Sequence, residues 1–188
     1  MKVRIGTALA AGALGLAAAG TASAQVHDSS FTAADGQRTL QQWIDIRGPA
    51  DCVWKSFTDP AALRASGVPM ARVELRNGGV IEEGFTADPK PGETIRHQVI
   101  TYLPERLLVL RNQTTPPGLP GADLYLNIVQ VIVIEPQGPG AVRLTLAHTG
   151  YGQGGGYDQL YDFFRAHNPA FLIGAKTRCE APAAHPPG

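Results

Sequence analysis

Cysteine is almost missing from this chain of 188 residues: Cys52 and Cys179 are the only two, and they form no C-x-x-C pair, so a zinc knuckle or a dithiol redox motif is not encoded. The five histidines, at positions 27, 97, 148, 167 and 185, have neither HxH nor HExxH spacing, and no local metal site is expected. Serine is sparse beyond residue 24, where Ser29, Ser30, Ser56 and Ser66 stand alone and no G-x-S-x-G occurs, so a hydrolase nucleophile elbow is excluded. There is no charge excess either: Lys plus Arg and Asp plus Glu both total 16. A chain without a basic surplus has little to hold a nucleic-acid backbone or an anionic membrane. Aromatics make up 7% of the residues, charged residues 17% and apolar ones 44%, a composition that supports one compact domain rather than disorder.

The one long apolar run lies at the start. Lys2 and Arg4 precede a stretch from Ile5 to Ala19 rich in Ala, Leu and Gly, and Ala22-Ser23-Ala24 follows before Gln25. This order is that of a secretory signal peptide over residues 1–24, because the run is too short and too Gly-broken for a spanning helix and ends in a small-x-small cleavage pattern. No cysteine follows the run to carry a lipid. The expected product is a mildly acidic protein, periplasmic or secreted, with no integral membrane span.

Beyond residue 24 the chain divides into a loose lead-in over 25–37, a folded domain over 38–180 and a Pro/Ala tail over 181–188. Leu40 to Ile46 alternates as a first strand and stops at Gly48-Pro49; a helix carrying Val53, Trp54 and Phe57 follows, and Asp59-Pro60 opens a second short helix. Ala71 to Leu75 and Val80 to Phe85 flank Asn77-Gly78-Gly79 as a hairpin. Thr94–Tyr102, Leu107–Asn112, Leu124–Ile134 and Val142–Gly150 read as further strands. Then the period changes. Tyr157, Leu160, Tyr161, Phe164, Phe171, Leu172, Ala175 and Cys179 form one stripe of a long amphipathic helix, with Asp158 and Asp162 near its start and Lys176 and Arg178 near its end, as the helix dipole favours. Pro169 predicts a kink or break near His167 and Asn168. The class is α+β: a curved antiparallel sheet of about six or seven strands, with one long helix available to cover its apolar face.

This order resembles the START/polyketide-cyclase-like (SRPBCC) superfamily and its helix-grip fold. Four stretches carry the likeness: Trp54 to Pro60, Pro104-Glu105-Arg106-Leu107-Leu108, Leu144 to Tyr151, and the aromatic C-terminal helix. Within the superfamily the chain looks most similar to homologues of the activator of heat-shock-protein ATPase. The resemblance implies a cavity between the concave sheet and the long helix, able to bind lipids, polyketides or other small apolar or amphipathic molecules, with no cofactor. It also implies that the two short helices support the end of the long one, which would bring Cys52 near Cys179 as a disulfide; two buried free thiols are the alternative. The expected export signal departs from the family, since a chaperone-activating role needs a cytosolic partner.

Gly150-Tyr151-Gly152-Gln153-Gly154-Gly155 matches G-x-G-x-x-G. The dinucleotide fingerprint requires a parallel βαβ unit with an acidic residue about 20 positions on, and here only the Pro/Ala tail follows the helix, so a flexible strand-to-helix loop is expected. His148 shares a strand face with Val142, Leu144 and Leu146, and His97 alternates with Ile95 and Val99. Either could orient a ligand or serve as general acid/base; a rim or core histidine satisfied by backbone or a Tyr hydroxyl is the competing view. Tyr125 and Asn127 interrupt one face of their strand and are candidate polar contacts. Trp54, Phe57, Tyr151, Tyr161 and Phe164 complete the candidate ligand-binding set, though Trp54, Phe57, Tyr161 and Phe164 at these spacings are more often core than ligand contacts, and in this fold the two roles overlap. Three readings follow: a binding protein, a cyclase- or hydratase-type enzyme in the same cavity, or a protein-interaction module.

Overall fold

A computed structural model describes residues 25–115 and 118–181; the expected signal peptide over 1–24 and all but the first residue of the expected tail lie outside them. Among the described residues nine antiparallel strands form one sheet. The order β1 (His27–Asp28), β3 (Arg38–Ile46), β9 (Ala141–Tyr151), β8 (Val129–Gly138), β7 (Leu107–Asn112), β6 (Thr94–Leu103), β5 (Val80–Gly84), β4 (Met70–Val73) runs from edge to edge, with β2 (Phe31–Thr32) also on β3. Register shifts between Arg38 and Thr39, Val99 and Thr101, and Pro136 and Gly138 are the bulge-like irregularities by which such a sheet bends and coils.

The lead-in is not loose, which corrects the expectation for residues 25–37. Its two short strands pair with β3, and the His27 ring stacks on Trp43 at 4.0 Å between centroids. Strands of two residues carry no periodicity to read; they form because the outer edge of β3 presents unpaired backbone donors and acceptors. These extra strands also account for the count exceeding six or seven.

After β3 come α1 (Ala50–Thr58) and α2 (Pro60–Ala65). Asp59 caps α2 by accepting from the Ala61 N–H at 2.6 Å, and Pro60 occupies the first turn, where its missing N–H costs nothing. Val53, Trp54 and Phe57 turn inward against Ile44, Val99, Leu108, Ile134 and Leu144, with Leu172, Ala175 and Cys179 of the long helix closing the same core. Cys52 and Cys179 are joined as a disulfide, Cα atoms 5.7 Å apart. Gly48 makes that corner possible: a Cβ there would lie 2.6 Å from the Cys179 carbonyl oxygen.

Two further expectations are corrected, the second only as to a break. The strand placed over Leu124–Ile134 begins only at Val129; Ala122–Tyr125 is instead one helical turn, α3, entered through Gly121 at φ 65°. Left-handed backbone of this kind redirects a chain whose apolar residues alone would permit a strand. The long helix, α4 (Gly155–Glu180), passes through Pro169 without a break. Proline removes the helical partner of the carbonyl four residues earlier, that of Arg165. Gln42 Nε2 from β3 donates to this oxygen at 3.2 Å, so the defect becomes a tie between helix and sheet.

Candidate functional site

The inward faces of the central strands are apolar at one end and polar at the other. On β9 Val142, Leu144 and Leu146 lead to His148; on β8 Ile134 and Ile132 lead to Gln130; on β7 Leu108 and Leu110 lead to Asn112. The antiparallel register sets these ends side by side: Gln130 opposite His148, and His97 opposite Asn112. A belt of polar side chains therefore crosses the concave face beneath α4.

Above the belt lies a cavity of about 310 Å³. Leu63, Val68, Ile81, Ile95, Leu110, Ile132 and Leu146 form much of its wall, Phe57, Phe164 and Phe171 add aromatic surface, and Glu83, His97, Gln130, His148, His167 and Asn168 are its charged or strongly polar lining groups. A second hollow of about 280 Å³ shares Phe85, Ile95, Tyr125 and Phe164 with it. Phe85, 56% exposed, stands at their common mouth.

The belt is internally hydrogen-bonded. His97 Nδ1 lies 2.6 Å from Asn112 Oδ1, and because Asn112 Nδ2 donates to the Tyr125 carbonyl at 3.2 Å, Oδ1 is the acceptor and Nδ1 carries the proton. Gln130 Nε2 donates to Asn112 Oδ1 at 2.9 Å and to the Tyr125 hydroxyl at 2.8 Å. His97 Nε2, on the other side of the ring, lies 3.7 Å from the Glu83 carboxylate. His148 is different: it is 2% exposed, its Nδ1 lies 3.4 Å from the Tyr151 hydroxyl, and the Phe164 ring meets it edge-on at 4.8 Å. Burial, and secondarily the neighbouring His97, pushes its pKa down to about 3, so its ring is neutral at physiological pH. Burial likewise drives the Tyr125 and Tyr151 hydroxyls well above the usual phenol range.

Of the residues singled out from sequence, Phe57, His97, Tyr125, His148 and Phe164 line this space. Trp54 does not; it is core, 6.4 Å from Tyr102 between ring centroids. Tyr151 is fully buried behind His148, and Tyr161 packs on Tyr151 at 5.1 Å with the Arg38 guanidinium over its ring at 5.0 Å. Asn127 is exposed at the turn after α3, with the Tyr157 hydroxyl at 3.5 Å, and is not a cavity residue. Glu83, Gln130, Asn112 and Asn168 escaped sequence reading. Glu83 had a signal: it lies between Ile81 and Phe85 at strand period, where an inward charge is unexpected. Asn168 had none, being hidden by Pro169 in a segment that reads as a break.

The glycine-rich segment after β9 leads into α4 from an antiparallel strand, so it lacks the parallel unit that a dinucleotide site needs. Arg38 anchors it, donating to the Gly152 carbonyl at 2.7 and 3.1 Å and pairing with Asp158 at 2.6 Å. Among the described residues there is no cluster of three or more His, Cys, Asp or Glu able to hold a metal, and no described helix is long and apolar enough to cross a membrane.

Residues 47–167 match the family described as Activator of Hsp90 ATPase homolog 1-like protein. The chain belongs to this family. Among solved structures, this family member is similar to the Aha1 dimer from Colwellia psychrerythraea (TM-score 0.60, 11% identity, over 76% of this chain and 96% of that one). It is also similar to CalU16 from Micromonospora echinospora (TM-score 0.58, 16% identity, 88% and 81%). A third likeness is to protein MLL2253 from Mesorhizobium loti (TM-score 0.58, 16% identity, 74% and 95%). At these identities the likeness is one of fold, the helix grip of a curved sheet on a C-terminal helix. No curated protein matches the chain.

Proposed function

We propose that this protein is a periplasmic or secreted carrier that holds a small apolar or amphipathic molecule between its sheet and α4. The observation that supports this most directly is the hollow itself. It is of ligand-site size, its wall is mostly apolar, and its polar groups are gathered at one end, which is how small-molecule sites combine burial with orientation. Export rests on the sequence of residues 1–24, and with export the chaperone-activating role in the family's description does not carry over. Native mass spectrometry of protein purified from its natural host tests the reading. A co-purified small molecule is expected in the wild type and not in Leu146→Trp, whose added ring fills the space. Empty wild-type protein that also fails to take up apolar probes refutes it.

A second reading, general acid/base catalysis in the same cavity, has one specific support. Asn112 orients the His97 ring through Nδ1 and the Glu83 carboxylate stands 3.7 Å from Nε2, so an imidazole and a carboxylate able to exchange a proton meet at the cavity wall. His97→Gln separates the two: a carrier keeps its ligand affinity within a few-fold, whereas an enzyme keeps binding and loses turnover.

A further inference from the structure

The cavity holds a carboxylate that no lysine or arginine of the described fold accompanies. Glu82 and Glu83 are neighbours on β5 and so face opposite sides of the sheet. Glu82 is well attended on its side: Thr94 Oγ1 donates to it at 3.0 Å, and the Arg72 and Arg96 guanidinium groups lie 3.6 and 3.9 Å away. Glu83 instead lines the hollow together with Ile81 and Phe85. Among the described residues its one close basic group is His97, whose Nε2 at 3.7 Å is beyond hydrogen-bond length, and none of the described lining residues is Lys or Arg.

The Glu83 side chain keeps 21% of its surface open, so solvent reaches the carboxylate while the hollow is empty. A guest changes that balance, because an apolar body entering a mostly apolar space displaces the water that stabilises the charge. A neutral guest then leaves the carboxylate desolvated and unpaired, and an anionic guest adds a second charge of the same sign. A cation supplies the counter-charge that burial demands. The rings of Phe57, Phe85, Tyr125, Phe164 and Phe171 line the same space and suit the same guest, since the negative face of an aromatic ring attracts an ammonium group.

Building on the carrier reading, we infer that the guest is an amphipathic organic cation, with an apolar body against the aliphatic and aromatic wall and a protonated amine whose N–H donates to the Glu83 carboxylate. Fatty acids and other anions are selected against. A cavity of about 310 Å³ accommodates roughly ten non-hydrogen atoms at liquid-like density, which sets the size of a fair probe.

Four probes of one shape decide it: 4-phenylbutylamine, 4-phenyl-1-butanol, 4-phenylbutanoate and butylbenzene, titrated calorimetrically into the full mature protein at pH 7.5. The amine is expected to bind most tightly, about tenfold or more ahead of the alcohol, with the carboxylate weakest. Glu83→Gln keeps the shape and removes the charge; it should weaken the amine by about tenfold or more and leave butylbenzene bound as well or better. Glu83→Ala gives the same comparison should the glutamine variant fold poorly. Leu146→Trp should exclude the amine, as expected of a guest in the hollow and not of one on the protein surface. An amine no tighter than the alcohol overturns the inference and makes a protonated His97 the resident partner of Glu83. An amine affinity that ignores Glu83, or that survives Leu146→Trp, overturns it as well. In each of these cases, butylbenzene that binds the wild type and not Leu146→Trp leaves the carrier reading standing. If the wild type binds none of the four, the carrier reading fails and this inference with it.

Discussion

His148 makes the stability of this protein depend on pH in a calculable way. In the unfolded chain its imidazole titrates near 6.5, and in the folded protein burial and the nearby His97 push it down to about 3. Between those values the unfolded chain binds the proton and the folded one does not, so stability rises with pH, and the contribution is fully present only above about pH 6.5. It is lost as pH falls, at about 1.4 kcal/mol per unit, or about 2 kcal/mol between pH 6.5 and 5. That window belongs to His148 rather than to the carboxylates. Asp45 is held below its usual value first by hydrogen bonds from Arg143, and in Asp28 and Glu180 partial burial is outweighed by hydrogen bonds from Ser30 and Arg165, and from Arg47 and Lys176. Their stabilisation is lost only as pH falls through ordinary values of 3.8 and 4.5. The raised tyrosines matter only in alkali. Urea unfolding of wild type and His148→Gln with the disulfide intact, at several pH values from 7.5 to 5, measures the difference. The variant should have a slope shallower by about 1.4 kcal/mol per pH unit. Parallel slopes would refute the neutral, desolvated state of His148, and with it the account of this end of the cavity.

Leu172→Ala removes a fully buried side chain from the sheet-facing side of α4 and should cost about 2 to 5 kcal/mol by urea unfolding. Replacing both Cys52 and Cys179 by Ser opens a loop spanning 127 positions, and the loss should approach, without exceeding, about 5 kcal/mol in the same assay. Gly150→Ala should lower the melting temperature by several degrees: its φ is +98°, and a Cβ would lie 2.9 Å from the Asn127 carbonyl oxygen. Unchanged melting would mean that β9 leaves the sheet by another path.

Much of the scaffold was legible because it rests on two strong periods. The alternation in Leu107–Asn112 and the three-and-four spacing from Tyr157 to Cys179 each bury one face, and residues so patterned have little choice of partner. What escaped was decided by single contacts. A left-handed glycine turned the segment before Ile128 into α3, and a glutamine 123 positions away in sequence rescued the helix at Pro169. The same holds for the cavity. His97 and His148 were visible as histidines at the end of apolar rows. Their distinct characters depend on Glu83, Asn112 and Tyr151, which local spacing does not relate to them. Asn127 and Trp54 lie off the cavity for the complementary reason: a strand that starts later exposes one, and a helix packed on the core encloses the other, as the core reading of Trp54 had it.

The bond between Cys52 and Cys179 turns almost the whole domain into a covalent ring. A protease that nicks any connection between those two positions leaves both pieces tethered, held by the sulfur bridge as well as by the sheet. On a gel without reductant the cut protein should migrate near its uncut size, and with reductant it should separate into fragments. If the protein is the exported carrier proposed above, a break in its backbone would in this way leave its container still assembled.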